Sequence, residues 1–204
     1  CTSLSAGNLK ATLLDLKQRF PQIDLATVER SRTRLATALR SGVLDIVIVT
    51  GSQPPLDSKT MLLWSERVLV VLPEDHPLTA RETVYWTDLR GENVLLSHYD
   101  PGREFEDLLG SKLVLSEDRP KIERHDVSCG IIKSLISMKR GISLVLESDM
   151  EANFAGLVYR ELRDGTGPSR FDYSAYWRAD NENPALNAFL KMLSERYLSP
   201  GLAT

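Results

Sequence analysis

The chain has 204 residues, 42% hydrophobic and 26% charged, with a formal net charge of -3. That length suits a core divided into two modest lobes as well as one large one, in an ordinary globular composition. The weak negative charge argues against DNA binding by this chain itself, and no run approaches the roughly 18 apolar residues that would span a bilayer.

Two cysteines, Cys1 and Cys129, are too few for a disulfide framework and suggest a reducing compartment. The chain opens Cys-Thr-Ser, without Met or leader peptide. A mature lipoprotein begins at a lipidated Cys, but usually continues with a Ser- and Gly-rich tether. Here a helix signal begins within about five residues, which favours a piece cut from a longer protein.

Ser5 can cap a helix in which Leu9, Leu13, Leu16 and Phe20 form a stripe that Pro21 ends. Residues 23–29 read as a strand. A helix is expected over 33–41, with Leu35, Ala38 and Leu39 inward and Gly42 as its stop. The β-branched run 44–49 reads as a strand buried on both faces, so strand, helix and strand predict a parallel sheet. Residues 51–59 read as a loop around Pro54-Pro55, and 67–72 as a buried strand closed by a turn ending His76-Pro77.

A second α/β series follows. Strands are expected at 93–97, 121–124, 142–146 and 156–162, and helices at 103–109 and 131–139, the latter ended by Gly141. The run Asp164-Gly165-Thr166-Gly167-Pro168 reads as a crossover loop. A strand over 173–177 precedes Asn183-Pro184, an N-cap followed by proline, and a helix carrying Leu186, Phe189, Leu190, Leu193 and Tyr197 inward.

Two such series predict an α/β fold of two Rossmann-like lobes with a cleft between them. Ligands of open sheets sit at strand carboxyl ends, where helices begin. The expected walls are the loops 1–7, 29–33, 97–102 and 126–130.

Several patterns occur in one order: Leu39-Arg40-Ser41-Gly42-Val43-Leu44-Asp45-Ile46, then Val68-Leu69-Val70-Val71-Leu72-Pro73 with His76-Pro77-Leu78, then Gly141-Ile142-Ser143-Leu144-Val145, Tyr176-Trp177-Arg178 and Asn183-Pro184-Ala185-Leu186. Over essentially its whole length the chain resembles the effector-binding domain of LysR-type transcriptional regulators. The resemblance implies a hinged fold like type II periplasmic binding proteins. One lobe would hold residues 1–66 plus 171–204 and the other 67–170. It also implies a homodimer of this domain, a tetramer of the full-length cytoplasmic protein, and DNA contact through an N-terminal winged helix-turn-helix that nothing here matches.

In such relatives a Ser or Thr after the first strand binds an effector carboxylate. Ser3 falls there, with Thr2 and Ser5 as neighbours, although Ser5 could simply be a helix cap. A second hydroxyl usually lies ten residues before the glycine matching Gly42. Here that position is Arg32, flanked by Ser31 and Thr33. An arginine there would favour an anionic metabolite through paired hydrogen bonds, unless it is merely solvated. From the other lobe come Ser97, His98, Ser128 and Cys129. His98 could cap a strand end, and Cys129 is more simply a structural thiol than a redox sensor.

No phosphate loop, nucleophile elbow or paired-cysteine metal motif is present, so neither catalysis, a metal nor a cofactor is expected. The competing reading is a stand-alone periplasmic solute-binding protein of a transport system, with the same fold.

Overall fold

The computed structural model describes residues 7–28, 30–51, 58–99, 101–115, 117, 119–151 and 154–198. The chain divides into two compact units. A central unit comprises Glu66–Phe171, and a terminal unit comprises Gly7–Ser65 with Asp172–Thr204. Both divisions fall inside strands.

In the terminal unit, α1 (Gly7–Arg19) presents Thr12 and Leu16 as its buried positions. The Thr12 hydroxyl lies 2.5 Å from the Tyr197 hydroxyl and donates to the Asn8 carbonyl, so a polar residue replaces part of the expected leucine stripe. Helix α2 (Arg32–Arg40) buries Leu39 and ends at Ser41. Gly42 follows at φ +76, a left-handed conformation that costs glycine little. Strand β1 (Ile46–Thr50) buries Val47 and Val49. These pack with Leu39 and Tyr176, and Leu35 and Leu44 close the cluster.

Three expectations for this unit are corrected. Residues 24–28 form no strand, because nothing described pairs with them and Val28 is half exposed. Strand β1 is accordingly antiparallel to β9 (Arg170–Arg178), Ile46 opposite Trp177, rather than part of a parallel sheet. It is also buried alternately, not on both faces. Strand β9 neighbours β2 (Ser58–Pro73), and Trp64 stacks on Tyr173 with centroids 4.9 Å apart. Helix α5 (Pro184–Tyr197) begins as expected, with the Asn183 carboxamide accepting from the Ala185 N–H.

In the central unit, the second half of β2 is its spine, with Val68, Val70, Val71 and Leu72 wholly buried. It pairs antiparallel with β6 (Ser143–Leu146) and with β7 (Leu157–Asp164). Strand β3 (Thr83–Tyr85) runs parallel to β7. Strands β4 (Asn93–Ser97) and β5 (Lys121–His125) form a parallel pair. The Leu95 N–H donates to the Ile142 carbonyl, joining β4 to the chain entering β6. Helices α3 (Gly102–Lys112) and α4 (Cys129–Ser137) follow the two parallel strands. Leu69, Val71, Leu95, Ile132, Ile136 and Val145 form the core between α4 and the strands. Full burial of each such side chain contributes about 1.5–3 kcal/mol.

The expected crossover loop at 164–168 is instead a tight hairpin. Arg163 pairs with Pro168 of β8 (Gly167–Pro168), and Asp164 closes the turn by accepting from the Thr166 N–H and hydroxyl. A side-chain-closed turn is what Asp followed by Gly supports equally well.

Candidate functional site

The central unit brings its chemistry to the carboxyl end of β4. Two helices begin there, α3 after 101 and α4 after 128. The Ser97 hydroxyl donates to the Val127 carbonyl at 2.7 Å and accepts from the Tyr99 N–H, tying the strand end to the segment that leads into α4. Gly102 starts α3 against the same corner. A β-carbon at 102 would overlap the Ser97 carbonyl oxygen, so only glycine lets the helix begin this close.

A pocket opens at this corner. Leu96, Phe105, Ile132, Leu144 and Val145 form its apolar wall, and Ser97, Gly102, Cys129, Lys133 and Ser143 also line it. It holds about 310 Å³ of unfilled space counted out to its open mouth, although the enclosed part is only of water size. The enclosed part is far below the usual volume of a small-molecule site, and the rest is open mouth. The Ser143 hydroxyl donates to the Leu95 carbonyl at 2.6 Å, so both lining serines spend their protons on backbone oxygens.

Lys133 is the residue that sequence reasoning missed. Its side chain is wholly buried, a rare state for lysine. Nζ donates to the Asp149 carbonyl at 2.7 Å and lies 3.7 Å from Asp149 Oδ1. It also sits over the Phe154 and Tyr159 rings, 5.2 and 5.7 Å from their centroids. Asp149 is itself buried, with its other carboxylate oxygen accepting from the Leu146 N–H. Burial pushes its carboxyl above the usual range, Lys133 opposing and buried Glu66 reinforcing that rise. Asp149 Oδ1 and the Tyr159 hydroxyl have no hydrogen-bond partner among the described residues. A sequence signal existed, since Cys129, Ile132, Lys133 and Ile136 follow the i, i+3, i+4, i+7 spacing of one helix face. A lysine inside that stripe must be buried or must break it.

The other expected residues are distributed as follows. Thr2, Ser3 and Ser5 lie outside the described residues. Ser128 is at the N-cap of α4 with its hydroxyl not capping the helix, and Cys129 is half-buried on the pocket wall. His98 is exposed, and its N–H donates to the His125 carbonyl. In the terminal unit, Ser31 holds the N-cap of α2, again without a side-chain cap bond. Arg32 is half-buried at the first helical position and donates to the carbonyl and hydroxyl of Thr50, at the end of β1. It is therefore anchored, not loosely solvated. No group of three or more potential metal ligands occurs among the described residues.

The model of the LysR substrate binding domain matches residues 2–198. The chain is 31% identical over 80 residues to the HTH-type transcriptional regulator YybE of Bacillus subtilis, a match covering 39% of this chain and 27% of that protein. It is 24% identical over 186 residues to the HTH-type transcriptional regulator AlsR of the same organism, covering 86% of this chain and 58% of that one. Its fold resembles the BenM effector binding domain solved with its effector benzoate (TM-score 0.78, 23% identity, covering 99% of this chain and 91% of that one). The chain thus spans under two thirds of the length of these regulators, and has the type II periplasmic-binding-protein-like α/β fold.

Proposed function

Because the chain belongs to the family of LysR substrate binding domains, we propose that it is the effector-sensing and self-associating part of a LysR-type bacterial transcription regulator, responding to an anionic organic metabolite. The observation that carries this reading is the family match over 2–198, together with a pocket at a strand end where two helices begin. The relatives are named as transcription regulators, which favours this role over a free solute-binding protein. The activity proposed is binding, not catalysis.

The site is proposed in two parts, one in each unit. In the central unit it comprises Ser97, His98, Ser128 and Cys129, to which the structure adds Lys133. In the terminal unit it comprises Ser31 and Arg32, and the sequence resemblance adds Thr2, Ser3 and Ser5. The anionic preference rests on chemistry. Arg32 and Lys133 are cations held by neighbouring backbone carbonyls, each within the reach of a helix beginning. The full-length protein is proposed to work in the cytoplasm as a tetramer built on homodimers of this domain. It would contact DNA through a separate domain. No described helix is long and apolar enough to cross a membrane.

Binding shifts the population of states only through differential affinity. The test is a thermal-shift screen of this chain against aromatic acids, aliphatic acids, amino acids and phosphorylated metabolites, with sedimentation velocity for self-association. At least one acid is expected to raise Tm with rising concentration, and the chain to sediment as a dimer. Stabilisation by neutral or cationic compounds alone would overturn the anionic assignment.

A further inference from the structure

Resting on the reading that the central pocket takes an acidic ligand, we propose that Lys133 and Asp149 form a counter-ion exchange beneath it. The ligand's negative group takes the Lys133 ammonium, and Asp149, released from that pairing, takes up one proton from solvent.

The geometry supplies each part. Lys133 contributes to the pocket wall, whose serine protons are already committed to carbonyl oxygens. An ammonium has three donors, and the only hydrogen bond Lys133 Nζ makes among the described residues is to the Asp149 carbonyl, with Asp149 Oδ1 at 3.7 Å. The pair is thus close enough to neutralise charge, yet leaves donor capacity for an incoming anion. Asp149 Oδ1 and the nearby Tyr159 hydroxyl are buried without partners among the described residues.

The charge balance dictates the proton. The groups facing Asp149 are Lys133 from α4, Glu66 from β2 and Tyr159 from β7. Strand β6 contributes Ser-Leu-Val-Leu, with nothing to titrate. Glu66 accepts from the Ser148 N–H in the turn that carries Asp149. Glu147, in the same turn, is paired with Arg67. Lys133 is therefore the cation among the groups that hold Asp149 ionised against burial and Glu66. An anion that draws the ammonium away adds a negative charge to this buried set. Neutralising Asp149 is the least costly response, because an unpaired buried carboxylate is strongly disfavoured. By linkage, affinity rises as pH falls through the window between the empty and occupied states of Asp149.

The probes are acetate, benzoate and inorganic phosphate, titrated calorimetrically into the whole chain in two buffers of different ionisation enthalpy. The wild type is expected to bind at least one of them with uptake approaching about one proton per anion. Lys133→Met, checked for folding by circular dichroism, should weaken that anion at least about tenfold, the equivalent of one lost charge-assisted contact. Asp149→Asn, nearly isosteric, should bind it more tightly at neutral pH with uptake close to zero. If the wild type binds an anion but Asp149→Asn retains the same uptake, or a folded Lys133→Met retains the affinity, the exchange is overturned while the effector reading stands. If no probe binds the wild type, the exchange and the anionic preference fall together.

Discussion

The beginnings of α2 and α4 are built alike and work differently. Each helix has nine residues, each follows a serine whose hydroxyl does not cap it, and each has a cation nearby. In the terminal unit the cation is Arg32, at the first helical position, half-buried and anchored on the end of β1. In the central unit it is Lys133, one turn further on, wholly buried and compensated by a buried acid. A guanidinium at a helix start is cheap to keep because water still reaches it. An ammonium in the core is tolerable only with its partner, so its position reports what the surrounding structure can hold.

The largest expected break in this comparison is Lys133→Ala. Leaving Asp149 without its counter-ion is expected to cost about 3–5 kcal/mol in urea unfolding, whereas Lys133→Met combined with Asp149→Asn recovers most of it. Arg32→Ala removes bonds to Thr50 at a partly solvated site and should cost about 1 kcal/mol. Equal losses from the two alanine variants would remove the distinction between the two cations.

Gly102→Ala comes next. The overlap with the Ser97 carbonyl oxygen forces α3 to shift at the pocket, for about 1–3 kcal/mol and a lower Tm. Ser97→Ala, which deletes the bond to the Val127 carbonyl, should cost about 1 kcal/mol.

A smaller effect is in pH. Folding raises the Asp149 carboxyl, so the folded state holds its proton at a pH where the unfolded chain has lost it. The contribution of this group to stability therefore grows as pH falls through its folded pKa and levels off below the ordinary carboxylate range. Carboxylates held low by partners, such as Asp164 beside Lys112, act in the opposite sense. The quantity to measure is thus how the stability difference between wild type and Asp149→Asn varies with pH, which should shift in favour of the wild type on acidification and flatten below the ordinary carboxylate range. The smallest change should come from Ser31→Ala and Ser128→Ala. Neither hydroxyl caps its helix, so stability should move by no more than about 0.5 kcal/mol; a loss typical of a true cap would reveal bonds formed only in solution.

Much of the central unit was legible from the chain alone. Strand 93–97 matches β4 residue for residue, and the helix expected over 131–139 exists two residues earlier, since Ser128 can occupy the N-cap as readily as a residue further on. Residues 23–29 carry a strand's alternation, yet 23–28 form no ladder among the described residues, because alternation describes a strand's face and says nothing about whether an edge is available to it. Cys129 is visible as a candidate from its place at a helix start, and Arg32 from its place ten residues before Gly42 in the family resemblance. Lys133 is not, because lysine is assigned to the surface unless its partner is known, and Asp149 lies sixteen residues away in a turn.

The sequence by itself therefore determined the α/β class, the elements around β4 and the Asn183-Pro184 start of α5, since these depend on local periodicity and on glycine, proline and capping chemistry. Only the tertiary structure decided which strands pair, that 164–168 closes a hairpin, and that one of the two cations is buried against an acid. Pairing and burial are contacts between distant segments, and the free energy of a buried charge is set by partners that no local pattern specifies.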